Sequence, residues 1–343
     1  MQKENDMISE KDIQFFAEKS KRIVEEISRD LVGQEEVVKG TVIAMIAGGN
    51  VLLEGVPGVG KTRLVRSVGR VFSLPFSRIQ FTPDLMPADV TGTDVLKKDE
   101  KGNNVLEFVP GPIFSSIVLA DEINRATPKT QSALLEAMQE HTVTASGKTY
   151  RLDEPFFVLA TQNPIEQDGT YPLPEAQTDR FMFKLIVTFP SATELASIVN
   201  MTQETLEERA QAVLTGEELL AMRRTAKEIL VPEEVLSYTM RLVCATHLEL
   251  SDSPDFTKKY LRLGASPRAA QALITAGKVR ALSEGRFNLS LEDINTLAYP
   301  VLRHRIKPSF NAVSERLSND DLITGLIKEV SGKKTQSKDK DKK

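Results

Sequence analysis

The amino-acid sequence predicts an α/β domain with a parallel β-sheet, followed by an all-helical domain. Up to about residue 190, short apolar runs alternate with segments of helical pattern. Most of these runs are continuously apolar, which is typical of strands buried on both faces of a parallel sheet. Beyond residue 190 only helical patterns follow. The five runs are NVLLEG from residue 50, SRIQF from 77, SIVLAD from 116, FFVLAT from 156 and FKLIVTF from 183.

Length and composition limit the classes of protein that the sequence fits. A chain of 343 residues, 41% of them hydrophobic and 27% charged, suits a globular protein of about two domains. The net charge of −4 gives no overall attraction to nucleic acid or to an anionic membrane. The single cysteine, Cys244, excludes an intrachain disulfide framework and a cysteine-rich zinc site. Because no apolar run could span a bilayer and the N-terminus lacks a signal-peptide pattern, we expect a cytoplasmic protein.

Helix-end signals set the expected domain organisation. A mixed-charge helix is predicted over residues 8–29, and the apolar helix after it is predicted to end at Gly48-Gly49. In the second half, N-terminal helix signals occur at Thr215, Pro232, Ser266 and Ser290. We therefore expect an α/β domain over residues 1–190, a helical domain over 191–330 and a disordered basic tail over 331–343.

The segment GVPGVGKT, from Gly55 to Thr62, fits the phosphate-binding pattern G-x-x-x-x-G-K-[ST]. The glycines allow backbone N–H groups to curl around an anion, and the following helix adds the dipole of its N-terminus. Lys61 can then reach the β- and γ-phosphates of ATP, and the Thr62 hydroxyl can ligate Mg²⁺. A chance glycine turn would leave Lys61 without a function. The predicted nucleotide-binding residues of this loop are Gly55, Pro57, Gly58, Val59, Gly60, Lys61, Thr62 and Arg63.

A second apolar run, SIVLAD, ends in the acidic pair Asp121 and Glu122. The aspartate suits a water-mediated contact with Mg²⁺, and the glutamate can orient and deprotonate an attacking water. Taken alone, the pair also fits a solvated strand end. Together with the glycine loop, the glutamate favours hydrolysis of ATP over transfer of phosphate to a small molecule.

Three further polar residues follow apolar runs or begin helices. Asn163, at the end of FFVLATQN, can donate to the γ-phosphate or position the water, although an Asn-Pro turn is the simpler interpretation. Arg180 stands at the entry to the last predicted strand. Arg268 stands in the first turn of a helix, where a cation opposes the helix dipole. A bound phosphate would compensate for this placement, and a simple salt bridge is the alternative.

The glycine loop and the segments VLADEINRA, ATQNP, LPEAQTDRF and GASPRA, in this order, closely resemble the MoxR family of AAA+ ATPases. The resemblance covers about residues 20–330. It implies a P-loop core with a five-stranded parallel sheet, a helical lid, and ring oligomers, usually hexamers, with sites at subunit interfaces. It also implies a role for each residue: Walker A for Lys61 and Thr62, Walker B for Asp121 and Glu122, sensor 1 for Asn163, sensor 2 for Arg268, the arginine finger for Arg180, and the adenine-side entry for LVGQ, which contains Val32 and Gly33.

Two insertions also fit this family. Between Arg78 and Phe114, a polar turn separates TGTDVL from VLEFV, which predicts a hairpin similar to the helix-2 insert of this clade. The residues from His141 to Leu152 alternate around Ser146-Gly147 and resemble the presensor hairpin. Ordinary surface hairpins are the alternative for both.

The resemblance implies a chaperone-like ATPase that remodels or assembles protein complexes or inserts metal cofactors. A partner with a von Willebrand factor A domain would be a separate chain. A DNA-dependent motor is a second hypothesis, which the acidic charge, the 6% aromatic content and the absence of tryptophan disfavour. A third is a nucleotide-gated binding module with negligible turnover, which the presence of Glu122 opposes. Because Arg180 precedes its strand, we expect it to lie away from its own nucleotide and to act on a neighbouring subunit.

Overall fold

The computed structural model describes residues 8–56, 58, 60–163, 169–204 and 209–340, without the side chains of 201–204 and 333–340. The strands are β1 Val51–Glu54, β2 Phe76–Gln80, β3 Gly92–Lys98, β4 Asn104–Pro110, β5 Ile117–Asp121, β6 Thr142–Ala145, β7 Lys148–Arg151, β8 Phe157–Gln162, β9 Phe183–Ile186, β10 Leu261–Leu263 and β11 Lys307–Pro308. The helices are α1 Glu10–Ser28, α2 Glu35–Ala47, α3 Lys61–Val71, α4 Pro87–Thr91, α5 Pro128–Glu140, α6 Glu175–Thr178, α7 Ala192–Glu204, α8 Gly216–Lys227, α9 Glu233–Cys244, α10 Asp255–Tyr260, α11 Pro267–Ser283, α12 Leu291–Leu302, α13 Phe310–Ser314 and α14 Asn319–Lys340.

Five strands form one parallel sheet in the order β2-β5-β8-β1-β9. These are the five apolar runs of the sequence, so the predicted α/β core is confirmed. The central strands are buried along nearly their whole length, and burial ends at polar residues at their carboxyl ends. Those residues are Glu54, Asp121 and Gln162. The sheet therefore combines an apolar interior with one polar edge.

The chain divides into two compact units, an α/β unit of residues 22–181 and 185–221 and a helical unit of residues 8–21, 182–184 and 222–340. Residues 191–221 thus fall in the α/β unit, although the sequence analysis assigns them to the helical domain. Asp30 contributes to this, because its carboxylate accepts hydrogen bonds from the backbone N–H groups of Arg209 and Ala210. The domain boundary near residue 190 stays a prediction.

Local sequence signals define several helix ends. Helix α2 ends at Gly48, whose φ of 80° is in the left-handed region that favours glycine. The Ser266 hydroxyl accepts from the N–H of Arg268 at the start of α11. Ser290 and Asp293 cap α12 reciprocally, as the sequence predicts. These caps fix where the helices begin and end.

Both predicted hairpins are present in the α/β unit. Strands β3 and β4 pair antiparallel, as do β6 and β7. Phe108 of β4 stacks on Tyr150 of β7 with ring centroids 4.3 Å apart. Phe114 packs edge-on against both rings. The two hairpins therefore share one aromatic cluster.

The helical unit departs from the sequence expectation in two places. A short antiparallel pair, β10 and β11, accompanies its helices. Helix α14 continues to Lys340, where the composition predicts a disordered tail from residue 331. The helical part of this segment contains no proline, and lysine has a high helix propensity. Across the described ranges, no helix is long and apolar enough to cross a membrane.

Candidate functional site

The candidate site lies at the polar edge of the sheet, where β1, β8 and β5 end side by side. The glycine loop follows β1, Asp121 ends β5, and Asn163 follows β8. Register places Glu54 opposite Gln162, and the Gly55 N–H donates to the carbonyl oxygen of Gln162 over 3.3 Å. Ligands of open α/β sheets bind at the carboxyl ends of strands. The sheet order thus gathers residues that are far apart in the sequence.

At each described glycine position of the loop, the structure gives a physical reason why glycine occupies it. A Cβ on Gly55 would lie 2.5 Å from the carbonyl oxygen of Val187, so only glycine fits this close approach. Gly58 and Gly60 have φ angles of 81° and 87°, in the left-handed region. Gly60 is also the N-cap of α3. The two other predicted loop residues, Pro57 and Val59, lie outside the described residues.

Lys61 is the first residue of α3, and its Nζ donates to the carbonyl oxygen of Gly55 over 2.6 Å. Burial lowers the pKa of its ammonium, and the charges of Asp121, Glu122 and Glu54 oppose this shift. The first N–H groups of a helix have no acceptor within the helix. The loop, the helix N-terminus and Lys61 therefore provide a set of donors suited to a phosphate group.

Thr62 stands beside Lys61 in the first turn of α3 and is half-buried. Its hydroxyl and the carboxylate of Asp121 are hard oxygen donors of the kind that Mg²⁺ prefers, so the donor set fits this ion. The NH2 of Arg63 lies 3.7 Å from Oδ1 of the buried Asp30, and the predicted contact of Arg63 with a nucleotide stays a prediction. Asp30 also accepts from the Ser67 hydroxyl of α3 over 2.6 Å. Arg63 thus belongs to contacts that fix α3.

Thr161 of β8 connects the two acidic residues. Its hydroxyl donates to Oδ1 of Asp121 over 2.7 Å and accepts from the backbone N–H of Glu122 over 2.8 Å. Glu122 has a φ of 56°, a left-handed conformation that is uncommon outside glycine. The backbone turns sharply here, and the bond to Thr161 stabilises that turn.

The Glu122 carboxylate is held by two donors. Its Oε2 accepts from Nε2 of Gln80 over 3.1 Å and from NH1 of Arg125 over 2.9 Å. Arg78, which lies on β2 like Gln80, donates to Oδ2 of the Asp121 carboxylate. The positions of both carboxylates are therefore restrained by neighbouring side chains.

Sequence reasoning missed four of these residues: Arg78, Gln80, Arg125 and Thr161. The sequence contains a signal for three of them. Arg78 and Gln80 alternate along SRIQF, which places both side chains on one face of a strand. Thr161 is a polar residue in the otherwise apolar run FFVLAT. What the sequence did not provide is the order of the strands.

Asn163 is 6% exposed and lies at the polar edge, directly after β8. The turn that contains Val32 and Gly33 lies beside the glycine loop. A Cβ on Gly60 would be 3.9 Å from the Leu31 side chain. The turn is held by Gln34, whose Nε2 donates to the carbonyl oxygen of Thr188 over 2.9 Å. Asn163 and the turn that contains Val32 and Gly33 therefore both lie near the glycine loop.

The two predicted arginines lie on other elements of the fold. Arg180 precedes β9, so it lies at the amino end of that strand, opposite the polar edge. Its NH1 donates to the carbonyl oxygen of Leu135 over 2.7 Å. Its Nε is buried and has no hydrogen-bond partner among the described residues. Arg268 is an exposed residue in the first turn of α11, within the helical unit.

Comparison with known proteins agrees with this geometry. The family model described as "ATPase family associated with various cellular activities (AAA)" matches residues 50–183, and the AAA lid domain matches residues 255–325. The chain is 40% identical to Chaperone MoxR1 of Mycobacterium tuberculosis over 90% of its own length and 81% of the relative. It is also 40% identical to YeaC, an uncharacterized protein of Bacillus subtilis, over 90% and 93% of the two chains.

A solved structure from Cytophaga hutchinsonii, provisionally described as an ATPase, superposes with a TM-score of 0.85. That protein is 38% identical in sequence. The match covers 92% of this chain and 95% of the other. The likeness extends over both units of the fold.

Proposed function

Because the chain belongs to the MoxR family of AAA+ ATPases, we propose that it binds ATP with Mg²⁺ at the polar edge of the sheet and hydrolyses it. The observation that carries this proposal is the Thr161 hydroxyl, which contacts Asp121 and the backbone of Glu122 one strand away from the glycine loop. Hydrogen-bond donors suited to a phosphate and two acidic residues thus lie at the same polar edge of the sheet. That combination suits hydrolysis of a nucleoside triphosphate.

Within this proposal, the glycine loop and Lys61 bind the β- and γ-phosphates. Thr62 and Asp121 hold Mg²⁺, which when bound supplies charge neutralisation to the phosphates. Val32 and Gly33 lie on the adenine side. Asn163 donates a hydrogen bond to the γ-phosphate or to the attacking water.

Glu122 acts as the general base. Its carboxylate accepts a proton from water as the oxygen of that water attacks the γ-phosphorus, and ADP leaves. Gln80 and Arg125 position the carboxylate through their hydrogen bonds to Oε2. A base whose position is restrained contributes to rate because less conformational freedom is lost when it meets the water.

We further propose that the protein works as a ring, usually a hexamer, in which Arg180 serves a neighbouring subunit. Two observations support this: Arg180 lies at the sheet edge opposite to the proposed nucleotide site, and its buried Nε has no hydrogen-bond partner within the part of the chain that the structure describes. A guanidinium provided by a neighbour can neutralise charge that develops during phosphoryl transfer. Arg268 is proposed to contact the nucleotide from the helical lid.

The work driven by hydrolysis is proposed to be chaperone-like remodelling or assembly of protein complexes, including maturation of metal cofactors, in the cytoplasm. A relative of 40% identity carries the name chaperone, which supports the general role. A separate protein with a von Willebrand factor A domain is the proposed partner, and a protein is the proposed client.

Phosphate release from ATP tests this function. Purified protein should release phosphate with Mg²⁺ and stop when EDTA removes the ion. Single- and double-stranded DNA should leave the rate unchanged. A strong stimulation by DNA would support a DNA-dependent motor, and no release under any of these conditions would contradict the ATPase.

A further inference from the structure

A cleft of about 420 Å³ opens on the helical unit, between α9, α14 and the loop that precedes α10. This volume is in the range of small-molecule sites in proteins. Apolar side chains form part of its wall, among them Leu250, Pro254 and Val330. All its lining residues belong to the helical unit, so this α9–α14 cleft shares no residue with the polar edge of the sheet.

Two charged side chains that line the cleft are not neutralised by the protein. Arg241 of α9 is half-buried, and Glu329 of α14 is exposed. Within the described ranges, neither side chain forms an ion pair or a side-chain hydrogen bond, with the other or with a third residue. The cleft therefore presents a cation and an anion that come from two different helices and do not meet.

Ser253 adds a polar group to the wall of the cleft. The residue is 7% exposed, and its Oγ is buried without a hydrogen-bond partner in the part of the chain that the structure describes. Buried hydroxyl groups in proteins nearly always have such a partner, and the lack of one costs free energy. A ligand with an amide can supply it, because a hydroxyl both donates and accepts.

Buried hydrogen bonds hold the walls of the cleft together. The hydroxyl of Thr257, a fully buried residue of α10, donates to the carbonyl oxygen of Ala245. The Tyr238 hydroxyl of α9 donates to Asn295 of α12 over 2.6 Å and lies 3.5 Å from the Ser331 hydroxyl of α14. A site whose walls are fixed before binding loses little conformational entropy when a ligand enters.

We propose that the α9–α14 cleft is a separate binding site that takes a small zwitterion of about the size of a dipeptide. The ligand carboxylate binds the Arg241 guanidinium, its ammonium group binds the Glu329 carboxylate, and its apolar body covers the apolar wall. An α-amino acid carries both charges on one carbon atom. The charges of a dipeptide are separated by a chain with a central amide, which suits two side chains that do not meet and the hydroxyl of Ser253.

The single cysteine of the chain reports directly on occupancy of the cleft. Cys244 is exposed and lines the cleft, so a ligand there should shield its thiol. Leucyl-leucine should slow the modification of Cys244 by iodoacetamide, a neutral reagent, in the full-length protein. The concentration that gives half of the full protection measures affinity. N-acetyl-leucyl-leucine lacks the ammonium and leucyl-leucine amide lacks the carboxylate, so each should need about threefold to tenfold more.

Two substitutions assign the charges. Arg241→Gln should raise the half-protection concentration of leucyl-leucine about threefold to tenfold and remove its advantage over the amide. Glu329→Gln should remove its advantage over the N-acetyl compound. The matched controls Arg262→Gln, on β10, and Glu233→Gln, in the first turn of α9, are exposed changes outside the cleft and should behave as wild type.

Lack of protection by leucyl-leucine at any soluble concentration would overturn the proposal. Equal protection of the wild-type protein by all three compounds would also overturn it, because neither terminal charge would then be bound. A wild-type half-protection concentration in folded Arg241→Gln would contradict the assigned contact. If circular dichroism shows Arg241→Gln to be unfolded, the comparison of the three compounds on the wild-type protein carries the test.

Discussion

The Lys61 ammonium donates to the Gly55 carbonyl oxygen across 2.6 Å, so the first residue of α3 bonds to the first residue of the glycine loop. This hydrogen bond holds the lysine side chain over the loop in the absence of a phosphate. Burial costs its charged form some stability, and the carboxylates at the ends of β1 and β5 offset part of this cost. A cation held in this way is suited to bind an anion.

Lys61→Ala should reduce nucleotide affinity by about 100-fold or more, because the phosphates lose their main cation. Binding of a fluorescent ATP analogue measures this loss. Lys39→Ala is the control, since Lys39 is an exposed lysine of α2 that pairs with Glu35 and Glu36. Wild-type affinity in Lys61→Ala would refute the assignment of the glycine loop.

Thr161→Val keeps the shape of a fully buried side chain and removes the hydroxyl that contacts both acidic residues. The free energy of unfolding should fall by about 1–3 kcal/mol, because the N–H of Glu122 loses its acceptor. The rate of ATP hydrolysis should also fall. Chemical denaturation and phosphate release measure the two effects.

Thr239→Val is the matched control for this change. Thr239 is also fully buried, but its hydroxyl only donates to a carbonyl of its own helix. That oxygen keeps a backbone donor, so the loss should stay below about 1 kcal/mol. Equal destabilisation by both substitutions would contradict a special role for Thr161.

Arg180→Ala should bind ATP normally, and its rate of ATP hydrolysis should fall by on the order of 10³-fold. Mixing it with Lys61→Ala subunits should restore some activity, because an intact glycine loop on one subunit can meet an intact Arg180 on the next. Phosphate release from the mixture checks this. If mixed oligomers form and activity does not return, Arg180 does not act in trans.

Asp293→Asn should destabilise the helical unit at neutral pH. Asp293 is fully buried and bonded to Arg280, Arg286 and Ser290. Burial raises the pKa of its carboxyl, but the bonds from Arg286 and Ser290 lower it by more. A lowered pKa stabilises the fold above the unfolded-state value of about 3.9, and this contribution is lost as the pH falls through the folded-state pKa.

The loss of unfolding free energy in Asp293→Asn should be about 2–4 kcal/mol at pH 7, because Arg286 is left without its buried partner. Thermal or chemical unfolding of both proteins from pH 7 down to pH 3 measures the difference. The difference should shrink at the acid end. If the difference in unfolding free energy between wild type and Asp293→Asn grew as the pH fell, the pKa of Asp293 would be raised by folding, not lowered.

The sheet was predictable because its strands are buried on both faces, which leaves continuous apolar runs in the sequence. The glycine loop was predictable because the spacing of its glycines and lysine is typical of a backbone that curls around a phosphate. The contacts of Arg78, Gln80 and Thr161 were not predictable, since they depend on β5 lying between β2 and β8. No local pattern in the sequence encodes that order.

Arg63 shows the same limit at another position. Its place beside Lys61 and Thr62 predicts a nucleotide contact, which stays a prediction, and the structure adds that its NH2 lies 3.7 Å from the buried Asp30 carboxylate. Asp30 itself follows α1 and carries no local sign that it is buried. Charged side chains that pair across long sequence separations are the part of the site that needs the structure.

Glu122→Gln tests the central claim most directly, in parallel measurements of ATP binding and steady-state phosphate release. The amide keeps the size of the side chain and cannot accept a proton from water, so affinity should be unchanged and turnover should fall at least about 100-fold. Glu36→Gln, an exposed change on α2, should behave as wild type. Wild-type turnover in Glu122→Gln would contradict the assignment of the hydrolytic site.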